Sequence, residues 1–201
     1  MNTLLNIRAA ANKSAKSITA ALVMTLLTPI SAFAHPGHAD HSFFSGLTHP
    51  LTGVDHLIML LAFGLLVGTL SFKKGKTLAL LVAGVASLVV GLLAGKAIGY
   101  AAFIEPMIIA SLFVMSVCLW HVVTPSVTKV NAALSLAIGL LFFHGYAHGV
   151  EAAANLSQFA LGMTMMACML LGAGCMAGRW IGSKWLSIGV ASASVLFMVT
   201  A

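Results

Sequence analysis

The sequence predicts an all-α fold: a polytopic membrane helical bundle with six transmembrane helices after a cleaved signal peptide. Of its 201 residues, 60% are hydrophobic and only 7% are charged, whereas about a quarter are charged in ordinary soluble domains. So few charges cannot cover a water-exposed surface, and lipid must therefore be the solvent for most of it. The apolar residues also fall into runs of about twenty, the length that crosses a bilayer core.

The first 34 residues have the layout of a signal peptide. Residues 1–16 are basic and carry no acid, and the apolar stretch over 18–30 is too short to span a membrane comfortably. Ala32-Phe33-Ala34 is the small-x-small pattern that signal peptidase accepts. Cleavage would make His35 the mature N-terminus and place it outside the cytoplasm. The alternative is an uncleaved first transmembrane helix.

The remaining sequence is expected to form one membrane domain behind a short polar segment. Residues 35–52 are interpreted as a His-rich extracytoplasmic segment, and 53–201 as a six-helix transmembrane domain. Lysine- and glycine-containing breaks separate the apolar runs. The predicted spans cover residues 53–72, 77–95, 103–123, 130–148, 158–178 and 184–201.

Charge asymmetry predicts the orientation independently of the signal peptide. If the mature N-terminus is outside, the inner loops and their flank hold most of the basic residues: Lys73, Lys74, Lys76, Lys129, Arg179 and Lys184. The outer loops hold Lys96 alone. This positive-inside bias predicts a multi-pass protein of the bacterial cytoplasmic (inner) membrane. The scattered positive charge forms no basic helix face, so nucleic acid is not an expected partner.

All three acids and three of the four histidines of the predicted membrane domain converge on one level of the membrane. Asp55 and His56 begin the first span, and Glu105 begins the third. His144 and His148 end the fourth span, with Glu151 just beyond. Ionisable side chains within spans are costly to bury and are usually functional. The sequence therefore predicts a functional site near the outer face.

The spacing of these residues favours a metal site. His144, His148 and Glu151 stand at i, i+4 and i+7, so they share one face of a helix. Two imidazoles one turn apart, with carboxylates to neutralise charge, suit a divalent first-row metal better than Mg²⁺ or Ca²⁺. Gly145 and Gly149 beside the histidines leave room for another helix or for a hydrated ion.

Other potential ligands have two interpretations each. The segment from His35 to His41 is either a tail that concentrates metal weakly or a solvated leader. His121, at the inner end of its span, is either a helix-to-helix hydrogen-bond donor or an exit ligand. The methionines and cysteines of the fifth span suggest either Cu(I) or ordinary packing. The three cysteines of the chain lie in apolar runs and predict no disulfide framework.

Two longer motifs resemble a known family. The segment His49-Pro50-Leu51-Thr52-Gly53-Val54-Asp55-His56-Leu57 resembles the first-span signature of the HupE/UreJ family of hydrogenase and urease accessory proteins. The segment Phe143-His144-Gly145-Tyr146-Ala147-His148-Gly149-Val150-Glu151 is similar to its second signature. The resemblance implies a nickel permease or nickel-supply protein of the cytoplasmic membrane, with cobalt handled by some members.

By that resemblance, six residues match motif positions and would serve the metal: His49, Asp55, His56, His144, His148 and Glu151. Glu105 lies outside both motifs and is added by its predicted place in the membrane. One departure is Met59, where the family more often has a small residue with methionine next.

The leading hypothesis is secondary uptake of Ni²⁺, with Co²⁺ and Zn²⁺ as alternative ions and with no enzymatic activity. The chain contains no P-loop, so it is not expected to hydrolyse ATP. Expected partners are the divalent ion, the lipid bilayer and nickel-enzyme maturation factors. Two alternatives stay open. One is a zinc hydrolase in which His56, His144 and His148 bind zinc and Glu151 or Asp55 acts as base. The other is a metal chaperone or sensor that does not transport.

Overall fold

The computed structural model describes residues 42–122, 127–151, 156–181, 185, 188–193 and 195. The predicted signal peptide, the histidines at 35, 38 and 41, and most of the last predicted span lie outside this part of the chain. Within it the chain forms six numbered helices and no strand, which confirms the all-α membrane fold class. They are α1 Phe43–Thr52, α2 Val54–Thr69, α3 Lys74–Ile98, α4 Ile104–Val122, α5 Val127–Glu151 and α6 Leu156–Trp180.

Helix α1 occupies a segment that the sequence analysis placed before the first span. Ser42 caps its N-terminus by accepting a hydrogen bond from the Ser45 amide at 3.2 Å. Gly53 ends α1 in an extended conformation, and α2 then starts in a direction 80° away. A helix is possible here despite Pro50 because α1 packs closely on α6. A Cβ at Gly46 would overlap the backbone of Phe159.

Four described helices, α3 to α6, contain stretches that are long and apolar enough to cross a membrane. Helix α2 has only 16 residues, about 24 Å at the usual rise, so it is short for a hydrocarbon core of about 30 Å. Together α1 and α2 pass the same test as one broken span, which brings the number to five. The sixth span stays a prediction, since residues 188–193 are helical but their neighbours are not described.

Paired glycines bring the helix backbones into contact. Gly91 and Gly95 of α3 face the backbone of α5, and Gly145 and Gly149 of α5 face the backbone of Leu88 and Leu92 in return. The contacts advance in the same direction along both helices, so α3 and α5 are parallel. These are G-x-x-x-G pairs, which allow close helix approach in membranes. The room beside the two histidines of α5 is therefore filled by a helix.

A second parallel pair, α2 with α6, is built in the same way. Gly64 and Gly68 of α2 contact α6 at Leu171 and Cys175, while Gly174 and Gly178 of α6 contact α2. Helix α4 completes the interior by packing on α5 and α2. Fully buried side chains fill the centre, among them Met59, Phe63, Leu66, Leu112, Met115 and Leu141. Large exposed apolar side chains such as Leu78 and Val82 of α3 face outward, as lipid contact requires.

This arrangement brings the ends of five helices together on one side. Helices α2, α4 and α6 begin there, and α3 and α5 end there; we call this the site end of the bundle. Exposed aromatic residues lie at both ends: Tyr100 and Phe103 at the site end, Trp120 and Trp180 at the opposite one. Such aromatic belts are typical of the two membrane–water interfaces.

Candidate metal centre

Two helices bury one acidic and three imidazole side chains at the site end. Asp55 and His56 occupy the first turn of α2, and each is 8% exposed. His144 and His148 lie in the last two turns of α5 and are 1% and 3% exposed. Burying four ionisable side chains costs free energy unless they bind one another or an ion. A structural role in packing alone does not explain this group.

The local sequence explains why these side chains converge. His144 and His148 are four residues apart, so they project from one face of α5, while Gly145 and Gly149 hold a neighbouring face against α3. Asp55 stands in the first turn of α2, where the partial positive charge of the helix N-terminus favours a carboxylate. Gly53 precedes it without a side chain: a Cβ there would lie 3.0 Å from His56 Nδ1 and 3.3 Å from Asp55 Oδ1.

Asp55 lies between two imidazole rings. Its Oδ2 atom is 2.8 Å from Nδ1 of His56 and 3.9 Å from Nδ1 of His144. Nδ1 of His56 is within hydrogen-bond distance of this carboxylate, whereas the buried Nδ1 of His144 has no hydrogen bond to any residue that the structure describes. One ligand atom from each of these three residues lies within 4.8 Å of the others. Two ligands of a single first-row ion lie roughly 3.0–3.4 Å apart, so only small side-chain shifts would close this group around an ion.

Two further histidines extend the cluster on the other side of His56. His56 Nε2 and His148 Nε2 are 2.6 Å apart, so one of these nitrogens donates an N–H hydrogen bond to the other. The ring of His49, on α1, stands edge-on to that of His148 with centroids 4.3 Å apart, and lies 5.8 Å from that of His56. Phe159 of α6 covers the His49 ring at 5.6 Å. The bend at Gly53 thus brings a fourth imidazole to the site.

A cavity of about 560 Å³ reaches this cluster from the site end. His49, Asp55, His56 and His148 line it, whereas His144 is not among its lining residues. Glu105, in the first turn of α4, also lines the cavity and is solvent-exposed. The cavity can therefore admit a hydrated ion past a carboxylate to a set of imidazole nitrogens.

The predicted ligands are distributed as follows. His49, Asp55, His56, His144 and His148 come together, and Glu105 lines the cavity that reaches them. Glu151 ends α5, but its side chain is outside the described part of the structure. His121 is exposed at the opposite end of the bundle. Of the soft ligands considered for Cu(I), Met165, Met169 and Met176 are exposed on α6 and do not line the cavity.

Ser111 of α4 is a site residue that sequence reasoning missed. Its side chain is fully buried, and its Oγ lies 2.8 Å from Nε2 of His144. Nothing in the sequence distinguishes it from Ser116, another buried serine of the same helix. A serine in an apolar run is common in membrane helices, so only the three-dimensional contact identifies it.

Comparisons with known proteins agree with the two sequence motifs. The sequence model of the HupE / UreJ protein family matches residues 22–200. Protein HupE of Rhizobium leguminosarum bv. viciae is 29% identical over 128 residues, and the aligned part covers 63% of this chain and 63% of that relative. No solved structure matches the chain. Because the family match spans nearly the whole sequence, this chain belongs to the HupE/UreJ family.

Proposed function

We propose that this protein carries Ni²⁺ into the cell across the cytoplasmic membrane, with Co²⁺ as a second cargo, to supply the maturation of nickel enzymes. One observation carries the proposal. A carboxylate oxygen and two imidazole nitrogens, from Asp55, His56 and His144, lie within 4.8 Å of one another inside a membrane bundle. Asp55 and His56 line a cavity that opens at the site end, and His144 lies directly behind them.

The chemistry of these donors supports a first-row divalent ion. Imidazole nitrogen suits nickel, cobalt, zinc and copper, whereas Mg²⁺ and Ca²⁺ prefer shells of oxygen ligands. Cu(I) would favour thiolate and thioether sulfur, and Met165 and Met169 face away from the cavity. Membership of the HupE/UreJ family, which the motif resemblance connects with nickel and cobalt, favours Ni²⁺ within this group.

The proposed direction of transport is inward. The positive-inside rule favours the site end on the outer side, because Lys73, Lys74 and Arg179 lie at or beyond the opposite ends of their helices. An inward-negative potential contributes about 2.3 kcal/mol per charge per 100 mV, hence about 4.6 kcal/mol for a divalent ion. The membrane potential therefore favours uptake and can drive it without ATP. On this proposal residues 1–34 are a cleaved signal peptide, and the mature N-terminus is outside.

Each side chain then has a separate part in the uptake of the ion. Glu105, at the exposed rim, attracts the cation into the cavity. Asp55 offsets the loss of hydration when the ion moves to the buried site, since an unpaired charge is costly there. His56 and His144 select the ion by supplying nitrogen ligands, and His148 and His49 line the cavity beside them.

The zinc hydrolase is less well supported. It would place His56, His144 and His148 on one zinc ion, but the Nε2 atoms of His56 and His148 contact each other at 2.6 Å, and Nε2 of His144 contacts Ser111 at 2.8 Å. The proposed arrangement uses the Nδ1 atoms beside Asp55 instead, and it assigns the protein no catalytic residue.

Accumulation of radioactive nickel by cells tests the proposal. Cells that express the protein are compared with cells that express His56→Ala and His144→Ala at matched membrane levels. Ser135→Ala is the control, because it alters an exposed residue of α5 away from the cavity. We expect saturable, voltage-sensitive uptake that both histidine variants lose and the control keeps. Uptake equal to that of empty-vector cells would contradict transport and favour a chaperone or sensor.

A further inference from the structure

The hydroxyl of Ser111 makes two short contacts, and only one of them can use its proton. Ser111 Oγ lies 2.6 Å from the carbonyl oxygen of Ile108, one turn earlier in α4. It also lies 2.8 Å from Nε2 of His144. A backbone carbonyl can only accept a hydrogen bond, so the hydroxyl proton is committed to Ile108.

The second contact therefore needs a proton on the histidine. Nε2 of His144 must donate to the Ser111 oxygen, which has lone pairs free to accept. A neutral imidazole carries one proton, so Nδ1 of His144 is then a bare lone pair. That atom is buried, lies 3.9 Å from Asp55 Oδ2 and has no hydrogen bond within the described residues. Two electron-rich atoms that face each other in a buried site attract a cation between them.

We propose that Ser111 is a positioning residue that holds His144 in the tautomer whose Nδ1 binds the transported metal. This inference rests on the proposed function and specifies which nitrogen of His144 faces the ion. Histidine ligands commonly donate their second N–H to a neighbouring acceptor, which sets both the ring orientation and the tautomer. Here a membrane helix supplies a hydroxyl as that acceptor, and the Ile108 carbonyl fixes the direction of the hydroxyl proton.

Nitrogen NMR of the metal-free protein tests the tautomer directly. Full-length protein with ¹⁵N-labelled histidine is measured in lipid, and the His144 signals are identified as those lost in His144→Gln. We expect a protonated Nε2 and a bare Nδ1 in the wild type. We expect a mixture of tautomers in Ser111→Ala, which leaves Nε2 without its acceptor. An unchanged His144 spectrum in Ser111→Ala, or a doubly protonated ring in both proteins, would overturn the inference.

Nickel affinity gives the functional consequence. Loss of such a supporting hydrogen bond typically costs about 10–100-fold in metal affinity, and we expect this for Ser111→Ala in equilibrium dialysis with Ni²⁺. Ser111→Thr keeps the hydroxyl and should restore the wild-type tautomer and most of the affinity. Ser116→Ala, in the same helix and also buried, should match the wild type. An equal loss in both alanine variants would make the effect general to α4 and would contradict the assignment.

These measurements separate this inference from the proposed function. If Ser111→Ala changes the tautomer and weakens nickel binding in a protein that does not transport nickel, the role of Ser111 stands and the transport proposal fails. If nickel uptake is found but the tautomer does not depend on Ser111, the inference about Ser111 fails and the transport proposal stands.

Discussion

Substitution of Gly145 tests the contact that positions both site histidines of α5. A Cβ at Gly145 would lie 2.7 Å from the carbonyl carbon of Leu88 and would overlap its oxygen, whereas ordinary contacts are 3.4–4 Å. Gly145→Ala would therefore force α3 and α5 apart by roughly 1 Å. Overpacking of this kind lowers the free energy of unfolding by about 1–3 kcal/mol. At about 2–4 °C per kcal/mol for a chain of this size, the melting temperature should fall by about 2–12 °C.

Gly139 offers a matched control on the same helix. Among the described residues, no atom beyond the adjacent backbone of α5 lies within 4 Å of a Cβ placed there, and alanine favours a helix over glycine by about 0.8–1 kcal/mol. Gly139→Ala should therefore leave the melting temperature unchanged or raise it. Thermal unfolding and nickel affinity are measured on the purified Gly145→Ala and Gly139→Ala proteins to distinguish the two substitutions. Nickel affinity should fall by roughly tenfold or more in Gly145→Ala alone, because metals tolerate changes of only about 0.2 Å in ligand distance. Equal effects of the two substitutions would refute the close contact between α3 and α5.

Three further substitutions test the site and its wall. Asp55→Asn keeps the shape but removes the charge beside His56, so the nickel affinity measured by calorimetry should fall by at least about 100-fold; an unchanged affinity would exclude Asp55 as a ligand. Gly53→Ala should weaken nickel binding without lowering the melting temperature, because its Cβ would crowd His56 Nδ1 at 3.0 Å; a fall in both would indicate a general packing defect. Tyr146→Phe removes a 2.8 Å hydrogen bond to the Gly99 carbonyl, worth about 0.5–1.5 kcal/mol. Hydrogen exchange around residues 99–101 should become faster, and unchanged exchange would contradict a role for Tyr146 in holding the cavity wall.

Apolar run length predicted most of the fold. The predicted spans 77–95 and 158–178 correspond to α3 and α6 within a few residues, because lipid requires long apolar helices that satisfy their own backbone hydrogen bonds. The bend at Gly53 and the helix before it were not predicted. Pro50 and Gly53 are typical of a polar loop in sequence, whereas the Ser42 cap and the close packing of Gly46 on α6 stabilise a helix there.

The site could be predicted in part. Ionisable residues in apolar runs are conspicuous, and the i, i+4 spacing of His144 and His148 indicates a shared helix face, which the structure has. Pairing across helices could not be read from spacing. The packing of α2, α4 and α5 determines two of these contacts. It places Asp55 between His56 and His144, and it places Ser111 against His144. The HupE/UreJ family, predicted from the two motifs, is confirmed.

Nickel flux through the purified protein is the most direct test of the central claim. Protein reconstituted in lipid vesicles, with an inside-negative potential set by a potassium gradient and valinomycin, is exposed to radioactive Ni²⁺. We expect nickel to accumulate in wild-type vesicles, faster as the potential increases, and to stay at the level of protein-free vesicles in His144→Ala. Tight nickel binding by the wild type without any potential-dependent accumulation would contradict the account and would identify a protein that binds nickel but does not transport it.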